Sequence, residues 1–338
     1  MKAVQLTAFG TDNLVINDIP TPSLKTNEVL VNIKAVSLNY LDQIILNGTF
    51  NRGVVFPYIP VSDGAGVVAA VGADVTRWKP GDRVVVQYVQ NWTKGKVDPE
   101  SNSIRVAWQT PGVLSEYTAI PEHGLVKIPE NLSFEEAATL PIAALTAWYG
   151  LIEQAGLRPG QTVLTQGTGG VSLFALQIAK AAGAKVIATT SSEEKAARLK
   201  ALGADAVINY RQHPEWHEQV KALNGGEGVD ITMDVAGAAT IGQSLLAVKE
   251  NGFVGTAGFI AGPELSLDIH QHRINLNFLR IQGLAVGSAE SFAAMNRAIE
   301  VNDIHPVIDS VFTMKQAMEA YLRLESGQHT GKIVITVP

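Results

Sequence analysis

Gly167-Thr168-Gly169-Gly170-Val171-Ser172 stands between a β-rich run, Thr162-Val163-Leu164-Thr165-Gln166, and apolar residues at helical spacing: Val171, Phe174, Ala175, Ile178, Ala179 and Ala182. A strand that ends in glycines and runs straight into a helix is the context in which backbone N–H groups hold a phosphate. Gly167 permits the tight turn, and Gly169 lets the main chain approach a pyrophosphate. The helix opening near Gly170 presents unpaired N–H donors and the positive end of its dipole. Gly167, Thr168, Gly169, Gly170 and Val171 are therefore the expected contacts of a dinucleotide. Ser172 stands where a third glycine would allow close helix-to-strand packing, and serine is nearly as small.

The next strand, Ala184 to Thr190, bears on which dinucleotide. An NAD site usually carries Asp or Glu about 20 residues after the turn, bonded to the ribose hydroxyls, whereas a 2′-phosphate needs that carboxylate absent and donors present. Here the strand ends Thr190-Ser191-Ser192, with Lys195 a turn later. NADP(H) is the expected cofactor, with Thr190, Ser191, Ser192 and Lys195 at its phosphate. Ser191 and Glu194 also have the spacing of a helix capping box, and both readings can hold at once. Glu193 and Glu194 would oppose a phosphate if they pointed inward.

The strand, turn, helix and following strand must sit in a chain of the right kind. At 338 residues with 46% hydrophobic and 17% charged content, the composition is that of a soluble globular protein with room for two cored domains. A net charge of -6 offers no basic surface for polyphosphate, so no nucleic-acid partner is expected. The chain has no cysteine, which excludes disulfides, thiolate catalysis and any cysteine-based zinc site. Met1-Lys2-Ala3-Val4-Gln5-Leu6 alternates as a strand, and neither a signal-peptide core nor a transmembrane run follows. The expected location is cytoplasmic, away from membranes.

The opening half is rich in strands and turns: Ala3 to Leu6, Leu14 to Asp18, Glu28 to Ser37, Gly66 to Val71, Arg83 to Gln87 and Leu114 to Ile120, punctuated by Pro20, Pro22, Gly64, Gly72 and Lys79-Pro80-Gly81-Asp82. Helices and strands then alternate. Strands are expected at Ala206 to Tyr210, Val229 to Val235, Gly252 to Ala257 and Leu279 to Leu284, with helices such as Glu193 to Leu202 and Ala239 to Val248 between them. That alternation implies an α/β fold, a doubly wound parallel sheet with helices on both faces, beside a β-rich domain. The tail holds helices around Phe292 to Glu300 and Met314 to Ser326, then a strand, Lys332 to Val337, expected to rejoin the β-rich domain. The expected division is residues 1–125 with 289–338, and 126–288 for the dinucleotide domain.

Several ordered motifs resemble the medium-chain dehydrogenase/reductase superfamily over essentially the whole chain. They are Gly64-Ala65-Gly66-Val67-Val68 leading to Val71-Gly72, Pro80-Gly81-Asp82-Arg83-Val84, Glu136-Ala137-Ala138 through Leu140-Pro141 to Leu145-Thr146-Ala147, the glycine turn, and Gly331-Lys332-Ile333-Val334. The resemblance implies a GroES-like catalytic domain and a Rossmann domain. Zinc-dependent alcohol dehydrogenases of that family carry a cysteine shortly before an Asp, a His-Glu pair before the Gly-x-Gly strand, and a further cysteine before the Leu-Thr-Ala helix. This chain has Asn39 before Asp42, Ser62-Asp63 before Gly64, and Ile142 near the third place. Only Asp63 among these is a good zinc donor, so no metal is expected. The cysteine-bound structural lobe is replaced by the insertion Asn91 to Gly112.

What remains is similar to the zinc-free branch, the quinone oxidoreductases and related enone reductases. Asn39 matches that branch's asparagine at the old cysteine place, Lys195 its phosphate-turn lysine, and Tyr210 its cofactor tyrosine. Two departures, the Thr168 and Ser172 fingerprint and Ile44 in place of a tyrosine, put the substrate in question rather than the fold. The implied reaction is hydride transfer to an acceptor that is already electrophilic, a quinone or an α,β-unsaturated carbonyl. Asn39 and Tyr40 are the candidate donors to the developing oxyanion. Asn39 could equally cap a helix, and Tyr40 could equally be a packed aromatic. Asp42 and Asp63 become proton donors only if burial raises their pKa, and otherwise orient loops.

Ligands of parallel sheets bind at the carboxyl ends of the strands, which adds Thr146, Gly258, Phe259, Ile260, Val286, Gly287 and Ser288 as expected neighbours of the nicotinamide. His213 with His217, and His270 with His272, have ligand-like spacing but no third ligand, and are read as solvated. The resemblance, together with an apolar last strand near Leu279 to Val286, implies a homodimer or homotetramer. Two other functions fit the same residues: a zinc-free alcohol dehydrogenase or ketone reductase, and a non-catalytic NADPH-binding structural or sensor protein.

Overall fold

The computed structural model describes residues 1–49, 53–258, 262 and 264–338. The chain opens with β1 (Lys2–Leu6) and β2 (Leu14–Asp18), an antiparallel pair. It continues through β3 (Glu28–Leu38), a helix at Tyr40–Leu46, then β4 (Asp63–Val71), β5 (Arg83–Val86), β6 (Tyr117–Pro121) and β7 (Leu125–Lys127). Short helical pieces from Phe134–Ala137 to Tyr149–Gln154 lead to β8 (Thr162–Gln166), β9 (Lys185–Thr190), β10 (Ala206–Asn209), β11 (Val229–Asp234), β12 (Val248–Thr256) and β13 (Arg280–Gly283). After a helix at Ala289–Val301 come β14 (Ile308–Thr313), a helix at Ala317–Glu325 and β15 (Lys332–Thr336).

Two compact units result, Met1–Leu145 with Val286–Pro338, and Thr146–Ala285. The first is β-rich as expected. Its larger sheet runs β14-β15-β3-β4-β5-β7, with β6 also pairing β3. The long strand β3 is its spine, because Val29, Val31, Ile33, Ala35 and Val36 are fully buried, and every such Val or Ile contributes about 1.5–3 kcal/mol. The final strand β15 does rejoin this sheet, antiparallel to β3 and parallel to β14. Two of its strands escape periodicity. β7 has three residues, and β14 carries Asp309 and Ser310 within its apolar alternation.

The second unit holds a parallel sheet in the order β10-β9-β8-β11-β12-β13 among the described residues. Starting from the glycine strand and stepping outward to both sides gives the doubly wound order of the Rossmann fold. The helix Gly170–Ala181 buries Leu173, Phe174, Ala175, Leu176, Ile178 and Ala179 and packs on β8 and β9. Leu164, Ile187, Ile208, Trp216, Val220, Ile241, Leu245 and Val254 form a core around the sheet.

The boundary between units differs from the expected one at both ends. Val126 and Lys127 belong to β7, which pairs with β5, and the Ile128 N–H donates to the Arg83 carbonyl at 3.2 Å, so residues 126–145 stay with the β-rich unit. Val286, Gly287 and Ser288 also belong there, and the Gln87 amide donates to the Gly287 carbonyl at 2.9 Å. Among the described residues no helix is long and apolar enough to cross a membrane.

Candidate functional site

In the second unit the glycine turn is built as its chemistry requires. Gly167 has φ +75°, a left-handed conformation that costs an L side chain, and its N–H donates to the Thr189 carbonyl of β9 at 2.8 Å. Gly169 is the N-cap of the Gly170–Ala181 helix, with no side chain capping it. A Cβ added at either glycine would meet nothing within 4 Å. The open space before an uncapped helix end fits the pyrophosphate of a dinucleotide. The Ser172 hydroxyl donates to the Gln166 carbonyl at 2.6 Å, so the residue that replaces the third glycine pins the helix to the strand end.

The end of β9 is shaped by neighbouring β10. Asn209 is in register with Thr190, and the Tyr210 N–H donates to the Thr190 carbonyl at 2.9 Å, which brings Tyr210 to the end of the strand beside Ser191. Thr190 is buried, and its hydroxyl has no partner among the described residues. The helix cap here is Ser192 rather than Ser191, accepting from the Lys195 N–H at 3.3 Å. A capping serine oxygen still has its own hydrogen to donate, so cap and phosphate contact are compatible. Glu193 and Glu194 are exposed, and the Glu193 carboxylate accepts from the Asn209 amide at 3.0 Å. The sequence reading passed over Arg211, an exposed cation directly after Tyr210.

At the carboxyl end of β11 lies another group it missed. Asp234 is fully buried and accepts from the Gly237 N–H at 2.8 Å, the Thr240 hydroxyl at 2.9 Å, the Ser244 hydroxyl at 2.6 Å and the Gln166 amide at 3.1 Å. It fixes the loop after β11 to the strand that carries the glycine turn. An Asp-Val-Ala-Gly run ending an apolar strand was the signal for it. Across from that loop, a Cβ at Gly258 would meet the Val235 carbonyl oxygen at 1.8 Å, so only glycine fits there. Phe259 and Ile260 lie outside the described residues. Thr146 is buried in the short helix Leu145–Trp148.

In the first unit, Asn39 is the N-cap of the Tyr40–Leu46 helix and is nine-tenths buried, whereas Tyr40 is exposed. The Asp42 carboxylate accepts the Asn39 backbone N–H at 2.8 Å and the Ser62 hydroxyl at 2.7 Å. The Asn39 side chain turns the other way. Its Nδ2 donates to Asp63 Oδ2 at 2.8 Å, and its Oδ1 accepts from the Lys332 ammonium at 2.6 Å. Lys332 also donates to the Leu38 carbonyl at 2.7 Å, and Asp63 Oδ2 accepts the Ile142 N–H at 3.3 Å. Burial pushes Asp63 up to about 7 against the opposing pull of Lys332 and Asn39. Burial likewise raises Asp42 and lowers Lys332. Burial acts on both aspartates in the direction that a proton donor would need, while their bonds to Asn39, Ser62 and Ile142 orient loops. The sequence motif Gly331-Lys332-Ile333-Val334 holds Lys332 without a role, although a lysine at the head of an apolar strand is a signal in itself.

Ser288 is buried and caps the Ala289–Val301 helix, accepting from the Ser291 N–H at 3.1 Å, while Val286 is held at φ +61°. His213 is exposed as expected, but His217 is half-buried, with a ring nitrogen 2.9 Å from the Gln243 carboxamide oxygen.

Residues 25–130 match the family model of the alcohol dehydrogenase GroES-like domain, and residues 170–300 that of the zinc-binding dehydrogenase. The chain is 41% identical over 335 residues to the zinc-type alcohol dehydrogenase-like protein of Schizosaccharomyces pombe, spanning 97% of this chain and 96% of that protein. The chain belongs to the medium-chain dehydrogenase/reductase superfamily.

Other members of that superfamily are similar as well. A human quinone oxidoreductase is 30% identical over 345 residues, spanning 99% of this chain and 97% of that protein. A solved NAD-dependent alcohol dehydrogenase superposes with a TM-score of 0.92 at 36% identity, covering all of both chains. A 2-octenoyl-CoA carboxylase reductase solved with NADP and 2-octenoyl-CoA gives 0.85 at 26% identity, over 96% of this chain and 82% of the other. Membership makes the chain an oxidoreductase that uses a nicotinamide cofactor. The superfamily's catalytic zinc does not fit the residues present. An amide, a serine hydroxyl committed to Asp42, an isoleucine and one carboxylate already held by Asn39 and Ile142 make no tetrahedral N, O or S set. Among the described residues no group of three or more His, Cys, Asp or Glu could hold a metal.

Proposed function

We propose that the protein is an NADPH-dependent, zinc-independent oxidoreductase that reduces a quinone or an α,β-unsaturated carbonyl. The observation that carries this reading is the Asn39 amide, held between an ammonium and a carboxylate at the place where zinc-dependent relatives bind metal. Bound NADPH supplies a hydride, and a conjugated acceptor takes it without Lewis-acid activation. The protein's share is to orient both partners, exclude water and donate hydrogen bonds to the oxygen that gains charge. Asn39 and Tyr40 are assigned as those donors. Gly167 to Val171 are assigned to the pyrophosphate, and Thr190, Ser191, Ser192, Lys195 and Tyr210 to the adenosine 2′-phosphate. Thr146, Gly258 and the Val286 to Ser288 turn are assigned to the nicotinamide.

The phosphate assignment is supported by the absence of a carboxylate at Thr190, by exposed Glu193 and Glu194, and by the donors gathered at the ends of β9 and β10. A homodimer is proposed on the edge strand β13, whose residues are all exposed, Ile281 at 43%.

Turnover tests the whole reading. NADPH oxidation should be fast with quinones and enones and slow with simple ketones, giving hydroquinone or saturated ketone. Alcohol from simple ketones as the main product would favour a zinc-free alcohol dehydrogenase, and no turnover with any acceptor would favour a non-catalytic NADPH-binding protein.

A further inference from the structure

The Lys332 ammonium reaches the Asn39 side chain, and its position explains why the amide has one orientation. β15 delivers Lys332 from the far end of the chain to β3, where its Nζ takes two acceptors, Leu38 O and Asn39 Oδ1. β4 delivers Asp63 from the other side of β3, as acceptor for Asn39 Nδ2. A carboxamide between a cation and an anion cannot flip without setting N–H against ammonium and C=O against carboxylate. We propose that Lys332 and Asp63 are positioning residues for the reduction: together they lock the Asn39 amide so that its second Nδ2 hydrogen, which has no acceptor among the described residues, is presented to the substrate oxygen. The inference rests on the assignment of Asn39 as an oxyanion donor.

Every charged or titratable group facing the cluster fits this arrangement. Asp42, on the Tyr40–Leu46 helix, is satisfied by Ser62 and by the Asn39 main chain, so it does not compete for the amide. Tyr58 and Tyr321 stand nearby with phenols that burial keeps protonated. Asp63 Oδ1 is buried with no partner among the described residues, so its second oxygen is not anchoring another element. A purely structural ion pair would bring Lys332 and Asp63 into direct contact. Here the amide of Asn39 is the bridge between them.

The test separates orientation from stability. Lys332→Met alone leaves Asp63 buried without its cation and is the variant at risk of not folding. The double variant Lys332→Met with Asp63→Asn removes both charges and should fold, and Lys332→Arg keeps the cation. The first readout is the pair of Asn39 Nδ2 hydrogens, seen by asparagine-selective 15N labelling and assigned with Asn39→Ser. In the wild type and in Lys332→Arg the two resonances should lie far apart, because one hydrogen faces a carboxylate. In the double variant the separation should collapse toward that of a free asparagine. The second readout is kinetic: the double variant should bind NADPH normally and keep KM within threefold, while kcat falls roughly 10- to 100-fold, the cost of misplacing one oxyanion donor. A double variant with wild-type separation, or with collapsed separation and unchanged kcat, would overturn the inference. If the wild type reduces no acceptor, the proposed function fails, and the resonances still decide whether the charged pair orients the amide.

Discussion

Replacing Gly169 by valine should abolish dinucleotide binding and leave the fold almost untouched. The backbone at Gly169 has φ -75° and ψ 171°, an extended conformation open to any L residue, and a Cβ there meets nothing within 4 Å. Losing glycine at an N-cap costs up to about 1 kcal/mol. A stiffer unfolded chain returns roughly 0.4–1 kcal/mol. The net change should therefore be under about 1 kcal/mol, a melting shift of a few degrees. NADPH at a hundred times its Kd should stabilise the wild type by about 2.7 kcal/mol and Gly169→Val not at all, because the added methyls occupy the space of the pyrophosphate. Gly167→Ala is the control of opposite sign: its φ of +75° makes alanine cost about 1–2 kcal/mol with no ligand present. Thermal melts with and without NADPH, followed by calorimetry, read both effects. Normal NADPH affinity in folded Gly169→Val would refute the assignment of the turn.

Lys195→Ala should weaken NADPH by about 10- to 150-fold if the charge-assisted bond is fully made, about 1.5–3 kcal/mol, and leave NADH unchanged. Equal losses for both cofactors would mean that Lys195 supports its helix instead. Partial burial pushes Asp309 up, but the Arg323 guanidinium, the Thr330 N–H and the Ser310 hydroxyl outweigh it and hold the carboxyl below its ordinary range. A depressed carboxyl contributes stability above its unfolded pKa and loses it as pH falls through the folded one. Asp309→Asn should therefore cost roughly 1–3 kcal/mol in denaturant melts at pH 7 and progressively less below about pH 4, and a gap that does not narrow in acid would contradict this. Sedimentation should show a species larger than the 36.0 kDa chain, and only monomer at high concentration would count against pairing through β13.

The fold was legible where side-chain period and turn chemistry agree. β2 and β8 were read to the residue, since β-branched runs bounded by Asn, Gly or Pro leave little freedom. β7 and β14 were not, because a three-residue strand has no period and Asp309 interrupts the other. The glycine turn was visible because its chemistry is local. The clamp on Asn39 was not: its members come from β4, β15 and a helix start, and only the sheet register brings position 332 to position 39. The same holds for Asp234, whose partners Gln166 and Ser244 lie on separate elements.

The proposed function requires hydride transfer from NADPH to an already electrophilic carbon, with no metal. The direct measurement is a turnover of NADPH deuterated at the transferring C4 position with an α,β-unsaturated ketone, using protein stripped by chelator and checked by metal analysis. Full activity after stripping is expected, with deuterium on the β-carbon of a saturated ketone. Deuterium on the carbinol carbon of an alcohol, or activity that returns only when zinc is added back, would contradict the proposed function.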